Sequence, residues 1–278
     1  MKDTDAALGK IRAYYSDFDE SARLSNFWGQ IEFLRTRYII SRNLQPPPAV
    51  VLDVGGASGR YACWLAQEGY EVHLIDPVPA HIDQAKKASA AQPKHPVAGL
   101  VLGDARELDF EDGTADAVLL MGPLYHLIQY SDRRSALTEA LRVLKPGGLL
   151  FAAAISRFAS TIDGLVEGYC RDPEFRKIMM KDLRDGQHRN PTENPLYFTD
   201  AYFTHPDDLK SEIEQAGFSH ADTLAVEGIS YMMRDLRRLW EDEFYREFLL
   251  DLIARLEREP SLLGASPHLL SIARKGAT

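Results

Sequence analysis

The chain has 278 residues, of which 45% are hydrophobic and 26% are charged, a composition typical of a soluble globular protein. Its 32 basic and 41 acidic residues give a formal net charge of −9, which disfavours nucleic acid as a general partner because phosphate backbones are repelled. The polar opening segment lacks the apolar stretch of a signal peptide, no apolar run is long enough to span a membrane, and two cysteines are too few for a disulfide framework. We therefore expect a cytoplasmic protein.

The chain opens with a helical pattern. Residues 8–44 carry apolar side chains at three- and four-residue steps, the spacing of one helix face. Pro46 begins a proline run that stops a helix and stiffens the chain. These signals divide the chain into an N-terminal helical segment, residues 1–45, and a larger domain, residues 46–278.

Strands alternate with helices after this division. Two further predicted strands come after a charged helix that begins at Pro206, and the second of these strands closes the chain. Alternation of this kind is typical of a parallel sheet with helices on both faces, so we predict a Rossmann-like α/β fold with a seven-stranded, mostly parallel sheet. The predicted strands are AVVLDV, YEVHLID, AGLVLGD, DAVLLMG, GLLFAAAIS, SHADTLAVEG and HLLSIARKG.

Two long segments interrupt the strand pattern, over about 157–203 and 229–265. The first contains Asn-Pro pairs and scattered aromatic residues, and the second contains a strongly charged stretch, residues 231–258, that reads as one long helix. Insertions on α/β folds tend to build lids and substrate pockets. We therefore predict that these helical insertions, after the fifth and sixth strands, form a cap or an interface.

A glycine-rich turn joins the first strand to a helix in VVLDVGGASGRY, residues 50–61. A dinucleotide fingerprint needs glycine at relative positions one, three and six, so that the backbone can approach a pyrophosphate. Counted from Gly55 or from Gly56, the chain does not supply all three. The turn therefore suits a ligand that has no diphosphate, which disfavours a nicotinamide oxidoreductase.

Acidic residues end the first three predicted strands. Parallel sheets bind ligands at the carboxyl ends of their strands, where Asp53, Asp76 and Asp104 fall. A carboxylate at the tip of the second strand, Asp76, can accept hydrogen bonds from both hydroxyls of a ribose. The alternative is that Asp76 and Pro77 only cap the next helix.

Four motifs resemble those of class I S-adenosylmethionine-dependent methyltransferases, in family order and at family spacing. The resemblance covers about residues 48–156 and is closest to the broad bacterial small-molecule, type 11-like branch. It implies S-adenosyl-L-methionine as cofactor, S-adenosyl-L-homocysteine as product, and in-line transfer of a methyl group to a small molecule. The motifs are VLDVGGASGRY, HLIDP, GDARELDFEDGTADAVLLMGPLYHL and RVLKPGGLLFAA.

The resemblance also implies which residues bind the cofactor. In relatives the N-terminal segment folds over the cofactor as a lid, so Tyr14 or Tyr15 could bond the methionine carboxylate and Arg23 or Arg60 could pair with it. The alternative is a helix that only packs its aromatic residues on the sheet edge. The family's middle glycine is Ala57 here, from which we expect an altered loop geometry. The implied roles are the methionine end for Asp53, Gly55, Gly56, Ala57 and Gly59, the ribose for Asp76 beside Pro77, the adenine for Asp104 and Ala105, and the region near the sulfur for Met121 and Gly122.

Residues for the methyl acceptor are harder to predict, because a sulfonium is already an activated donor and needs little catalytic machinery. A hydroxyl acceptor needs a base, for which His126 and His188 are candidates, although a structural role is the alternative for both. The histidines show no spacing typical of a metal site, so no metal is predicted. Candidate acceptor contacts are Tyr14, Tyr125, Tyr202 and His205.

Several alternatives stay open on the sequence alone. The acceptor could be RNA or protein, although the acidic net charge disfavours RNA. A relative could use bound S-adenosylmethionine for chemistry other than methyl transfer. We expect a monomer or a homodimer that acts at no membrane.

Overall fold

The structure is a computed structural model, and it describes residue 9, residues 27–192 and residues 194–277. A single mixed sheet runs through it, and helices cover both of its faces. The helices are α1 (Phe27–Asn43), α2 (Arg60–Gln67), α3 (Pro79–Ala90), α4 (Pro123–His126), α5 (Tyr130–Val143), α6 (Ala159–Val166), α7 (Pro173–Asp185), α8 (Pro206–Gln215), α9 (Leu236–Trp240) and α10 (Glu243–Leu256). The strands are β1 (Val50–Val54), β2 (Glu71–Asp76), β3 (Gly99–Leu102), β4 (Ala115–Leu120), β5 (Leu144–Ser156), β6 (Gln187–His188), β7 (Ala201–Thr204), β8 (Ser219–Ala225) and β9 (His268–Arg274).

The seven predicted strands form, in the order β3-β2-β1-β4-β5-β9-β8. Neighbours from β3 to β5 are parallel, whereas β9 runs antiparallel to both β5 and β8. The prediction of a mostly parallel sheet with helices is therefore confirmed. The strand order reverses between β1 and β4, and such a switch point opens a crevice at the carboxyl ends of the strands.

The first insertion adds two short strands that the sequence analysis does not predict. Strand β7 pairs in parallel with the end of β5, where Ile155 lies opposite Phe203, and β6 pairs with β7. Strand β5 is 13 residues long, and β4 beside it has six. The carboxyl end of β5 therefore extends beyond β4, and its backbone pairs with β7 of the insertion.

The second insertion is not the one long helix that its charge pattern indicates. A 3-10 turn (Gly228–Met232) comes first, and α9 and α10 follow as separate helices. The Asp242 side chain accepts hydrogen bonds from the amides of Phe244 and Tyr245, which caps the start of α10 and ends the preceding helix.

The core lies in two layers, one on each face of the sheet. Val51 belongs to one layer and its neighbour Leu52 to the other, because successive strand side chains point to opposite faces. Both are fully buried, as expected for central strands covered by helices on both sides.

A buried ion cluster ties α1 to the end of the second insertion. The Glu257 carboxylate is fully buried and accepts a hydrogen bond of 2.5 Å from Arg35 Nη2, and Arg42 forms a second ion pair with it. Burial lowers the pKa of Arg35, and Glu257 opposes this effect by stabilising the guanidinium charge. The position of α1 on the sheet therefore depends on this cluster.

Among the described helices, none combines the length and the apolar character needed to cross a lipid bilayer.

Candidate active site

The glycine turn lies at the carboxyl end of β1 and leaves no room for side chains. Gly55 has a φ of +74°, and its amide donates to the Ile75 carbonyl at 2.7 Å. A Cβ on Gly55 would come 2.7 Å from Pro123 Cδ, and a Cβ on Gly56 would come 2.7 Å from Asp53 Oδ2. One side of the turn is therefore packed against Pro123 and Asp53, and the other side lines the cleft.

Ala57, which replaces the family's middle glycine, adopts a left-handed backbone with a φ of +48°. This conformation costs a residue with a side chain about 1–2 kcal/mol. Its amide donates to Asp76 Oδ2 at 2.9 Å, and this bond helps to hold the strained residue in place. The alanine therefore takes a conformation that glycine adopts at no steric cost.

Asp76 lies at the tip of β2, is 3% exposed and lines the cleft. Besides the Ala57 amide it accepts from the Val78 amide at 2.9 Å, and its Oδ1 lies 2.9 Å from His81 Nδ1. The carboxylate thus organises the start of α3, as the capping alternative requires. A carboxylate has about four acceptor positions, so a further hydrogen bond to a ligand is still available.

Replacing Asp76 by asparagine should weaken the binding of S-adenosylhomocysteine by about 1–3 kcal/mol, because polar partners in a buried site lose a charged acceptor. Isothermal titration calorimetry measures this directly. Asp83→Asn, on the exposed side of α3, is the matched control and should bind like the unaltered protein. Equal affinity in both variants would remove Asp76 from the ligand site.

Asp104 and Ala105 follow β3 and both line the cleft. Arg106 holds the Asp104 carboxylate with two side-chain hydrogen bonds, 2.9 Å from Nε and 2.5 Å from Nη2, and its amide adds a third. The hydrogen bonds to Asp104 raise the pKa of Arg106. The carboxylate is therefore fixed at the rim before any ligand arrives.

Asp53 does not line the cleft but lies beneath the turn, fully buried. No hydrogen bond of normal geometry from the described residues reaches either carboxylate oxygen. Burial, reinforced by the negative charge of Asp76, raises the pKa of Asp53 to about 7, and the Ala62 amide only partly opposes this shift. A buried acid with a perturbed pKa beside a cleft is typical of a functional site.

The structure brings most of the predicted cofactor residues to one cleft. Gly59 is an exception, since it packs against Ala85 behind the turn. Tyr14 and Tyr15 lie outside the described residues. The predicted residues that line the cleft are Gly55, Gly56, Ala57, Arg60, Asp76, Pro77, Asp104, Ala105, Met121, Gly122, Tyr125 and His126.

His126 ends the short helix α4 at the cleft wall. Its ring centroid lies 4.7 Å from that of Tyr125 and 6.0 Å from that of Phe198. Phe198 has a φ of +62° and a ψ of 176°, a region that residues other than glycine rarely adopt and that is often found beside functional sites. The aromatic wall around His126 is thus held by a strained segment of the first insertion.

The structure does not bring His188 to the cleft. Its ring is 2% exposed, with Nδ1 at 2.7 Å from Asp182 Oδ2 and Nε2 at 2.7 Å from the Tyr197 carbonyl. Both ring nitrogens are therefore used inside the insertion. The geometry gives His188 a structural role in place of the predicted catalytic one.

Tyr202 and His205 also lie away from the cleft. The Tyr202 ring packs under the guanidinium of Arg133 at 3.8 Å. His205 caps α8, where its Nδ1 accepts from the Asp207 amide at 3.3 Å. Both predicted acceptor contacts are therefore structural residues in this fold.

Three residues at or behind the cleft wall were not predicted from the sequence: Glu32, Glu227 and His268. Their side-chain oxygen or nitrogen atoms lie within 4.8 Å of one another, although the residues come from α1, the segment just after β8 and the start of β9. Glu32 and His268 line the cleft, and Glu227 is buried behind them. The sequence offered one signal for His268, which is the first residue of the last strand. An antiparallel strand begins at the sheet edge where parallel strands end, so its first residue falls at the edge that binds ligands.

Comparison with known proteins identifies the part of the chain that builds this cleft. Residues 52–152 match the family model described as a methyltransferase domain. An uncharacterized methyltransferase of Mycobacterium tuberculosis is 34% identical over 100 residues, which are 36% of this chain and 37% of that protein. The matched segment thus spans little more than a third of that relative.

Two further similarities extend over more of the chain. A ubiquinone/menaquinone biosynthesis C-methyltransferase of Idiomarina loihiensis is 27% identical over 181 residues, 62% of this chain and 67% of that protein. The crystal structure of a SAM-dependent methyltransferase from Methanosarcina mazei superposes with a TM-score of 0.58 at 19% identity, covering 86% of this chain and 98% of that one. The fold is therefore shared well beyond the matched segment.

Together with the glycine turn and the acids at the strand ends, these matches show that residues 52–152 form a methyltransferase domain.

Proposed function

We propose that this protein is a cytoplasmic enzyme that transfers the methyl group of S-adenosylmethionine to a small molecule. The observation that carries the proposal is the cleft itself, where the Gly55–Ala57 turn, the Asp76 carboxylate and the Asp104 rim converge at the strand-order reversal. No glycine spacing for a pyrophosphate is present in this turn.

The residues present fit an adenosyl amino acid. Gly55 and Gly56 expose their backbone to the cleft. A Cβ on either residue would collide with the side chains that pack behind the turn. Asp76 and Asp104 stand at the tips of adjacent strands β2 and β3, as a ribose and the base attached to it require. Met121 and Gly122 follow β4 on the other side of β1, where the reactive sulfur would lie.

Each group then has a definite task. Asp76 accepts from a ribose hydroxyl, Asp104 from the adenine amino group, and Arg60 pairs with the methionine carboxylate. S-adenosylmethionine supplies an activated methyl group, so the protein has to align the acceptor and exclude water. Tyr125 and His126 stand at the wall where an acceptor would approach. Most of the predicted N-terminal lid lies outside the described residues, and the two insertions would form a cap over the cleft.

The domain match does not define the acceptor. The Idiomarina loihiensis relative takes its name from ubiquinone and menaquinone biosynthesis, but at 27% identity its acceptor does not carry over to this chain. A small-molecule acceptor is favoured because the acidic net charge opposes binding to RNA.

The experiment that tests the proposal uses S-adenosylmethionine with an isotopically labelled methyl group and an extract of small metabolites. Mass spectrometry should detect S-adenosylhomocysteine together with a labelled small molecule, both dependent on the protein. Label that appears only in protein or RNA would contradict the small-molecule proposal. Bound cofactor without any methylated product would indicate non-methyl-transfer chemistry.

A further inference from the structure

Helix α10 carries a row of exposed apolar side chains, Phe244, Phe248 and Leu252, which we call the apolar stripe. These residues recur at four-residue steps, so they lie on one side of the helix. Phe244 is 69% exposed and Phe248 is 51% exposed, and Leu252 is exposed as well. Single exposed apolar side chains are common in folded proteins, but a contiguous row with two phenylalanines is typical of a surface that binds another protein.

The apolar stripe is held in one arrangement by the rest of the fold. The rings of Phe244 and Phe248 are stacked, with centroids 6.0 Å apart and planes inclined by 6°. On the inner side of α10, Leu249 and Ile253 are buried in a cluster with Ile31 of α1. A surface that is already ordered loses little conformational entropy on binding, which favours association.

Charges of opposite sign lie at the two ends of α10. Glu241 and Asp242 precede its first turn, Arg255 lies in its last turn, and all three side chains are exposed. The Arg255 Nε donates to Asp251 Oδ2 at 2.7 Å, and a guanidinium has five N–H donors, so Arg255 can bind a further acid. Glu241 and Arg255 are separated by about 21 Å at 1.5 Å per helical residue, too far to pair within one chain.

A second copy of α10 complements this pattern of charge. When two copies lie antiparallel, the acidic end of each helix meets the basic end of the other, whereas a parallel pair would bring like charges together. Apolar rows at four-residue spacing on two helices interlock at a crossing angle near −50°, the most common class of helix packing. The surface is thus complementary to itself, as a twofold symmetric interface requires.

We infer that the protein forms a homodimer in which the apolar stripes of two α10 helices pack antiparallel, with Phe248 at the twofold axis. Each Phe248 contacts its counterpart, and Glu241 of each copy pairs with Arg255 of the other. The apolar stripe extends over only about 12 Å of helix, so the interface is small and a Kd on the order of micromolar is expected. Helix α10 lies outside residues 52–152, the segment that matches the methyltransferase domain, so the pairing is independent of the proposed methyl transfer.

Sedimentation velocity of the full chain at about 1–100 μM should show a monomer–dimer equilibrium. Phe248→Asp should weaken the dimer about 30-fold or more, because it removes a central aromatic anchor and places two carboxylates against each other. Leu196→Asp, at a residue of the first insertion that is nearly as exposed as Phe244, is the matched control and should dimerise like the unaltered protein. Circular dichroism should show that both variants keep the fold, since both positions are exposed. A monomer at every concentration, or an unchanged Kd in Phe248→Asp, would overturn the inference.

Charge reversal tests the antiparallel orientation. Glu241→Arg and Arg255→Glu should each weaken the dimer about threefold or more, since each contact occurs twice across the twofold axis. The double variant should bind more tightly than either single variant, because the exchanged charges meet again between the copies. Such a rescue cannot arise within one chain, where the two positions are too far apart. A double variant that dimerises no better than the single variants would contradict the antiparallel arrangement.

A cysteine at the twofold axis identifies what covers the apolar stripe. In Phe248→Cys the thiols of two copies should meet, so oxidation with diamide should give a disulfide-linked dimer. Leu196→Cys should not cross-link above the level that Cys63 and Cys170 give in the unaltered protein. A photoreactive maleimide attached to the new thiol of Phe248→Cys should likewise label the second copy. Labelling of residues 10–26 of the same chain, with no dimer, would show that the N-terminal segment covers the stripe and would overturn the inference.

Discussion

Replacing Glu257 by glutamine is expected to lower the free energy of unfolding by about 3–5 kcal/mol, the usual cost of removing one partner from a buried ion pair. The substitution keeps the shape of the side chain but leaves the Arg35 guanidinium, which is 2% exposed, without its counter-charge. Urea unfolding followed by circular dichroism measures the change. Glu259→Gln is the control, because that carboxylate is exposed and accepts hydrogen bonds from Ser261.

The effect of Glu257 should come from the unpaired charge and not from lost packing. A double variant, Arg35→Met with Glu257→Leu, should therefore recover most of the stability, since apolar pairs often replace buried ion pairs without loss. An equally unstable double variant, or a stable Glu257→Gln, would contradict the assignment.

The pH dependence of stability should change when Asp53 is replaced by asparagine. The pKa of Asp53 is about 7 in the folded protein, against an ordinary value of 3.8, so between these values the folded state holds a proton that the unfolded state has lost. The contribution of this group is thus fully present below pH 3.8 and is lost as the pH rises through about 7. At 1.36 kcal/mol per pKa unit, the loss amounts to about 4 kcal/mol.

Unfolding curves measured from pH 4 to pH 8 test this expectation. The free energy of unfolding of the unaltered protein should fall by up to about 4 kcal/mol relative to Asp53→Asn across that range. Asp83→Asn, in contrast, should follow the unaltered protein because its side chain is exposed. Parallel curves for Asp53→Asn and the unaltered protein would show that Asp53 titrates normally.

The sheet and the cofactor side of the cleft could be predicted because their signals are local. Central parallel strands are buried on both faces, so β1 and β4 appear as continuous apolar runs bounded by glycine or acid. The turn after β1 is specified by its own glycines, and Asp76 follows directly from the end of β2. Order in the chain was therefore enough to bring these groups together.

The wall of the cleft opposite these residues could not be predicted, because tertiary contacts assemble it. Glu227 and His268 are 41 positions apart and meet only because β8 and β9 pair. Strand β7 is four residues long and forms on the overhanging end of β5, which no sequence period reveals. His188 has the same polar surroundings in sequence as a loop histidine at a site would have, and only the structure shows both of its nitrogens in use.

The most direct test of the whole account is a pair of calorimetric titrations of the purified protein, one with S-adenosylhomocysteine and one with NADH. The account predicts saturable binding of one S-adenosylhomocysteine per chain, weakened in Asp76→Asn, and no binding of NADH. Tight binding of NADH with no binding of S-adenosylhomocysteine would contradict it.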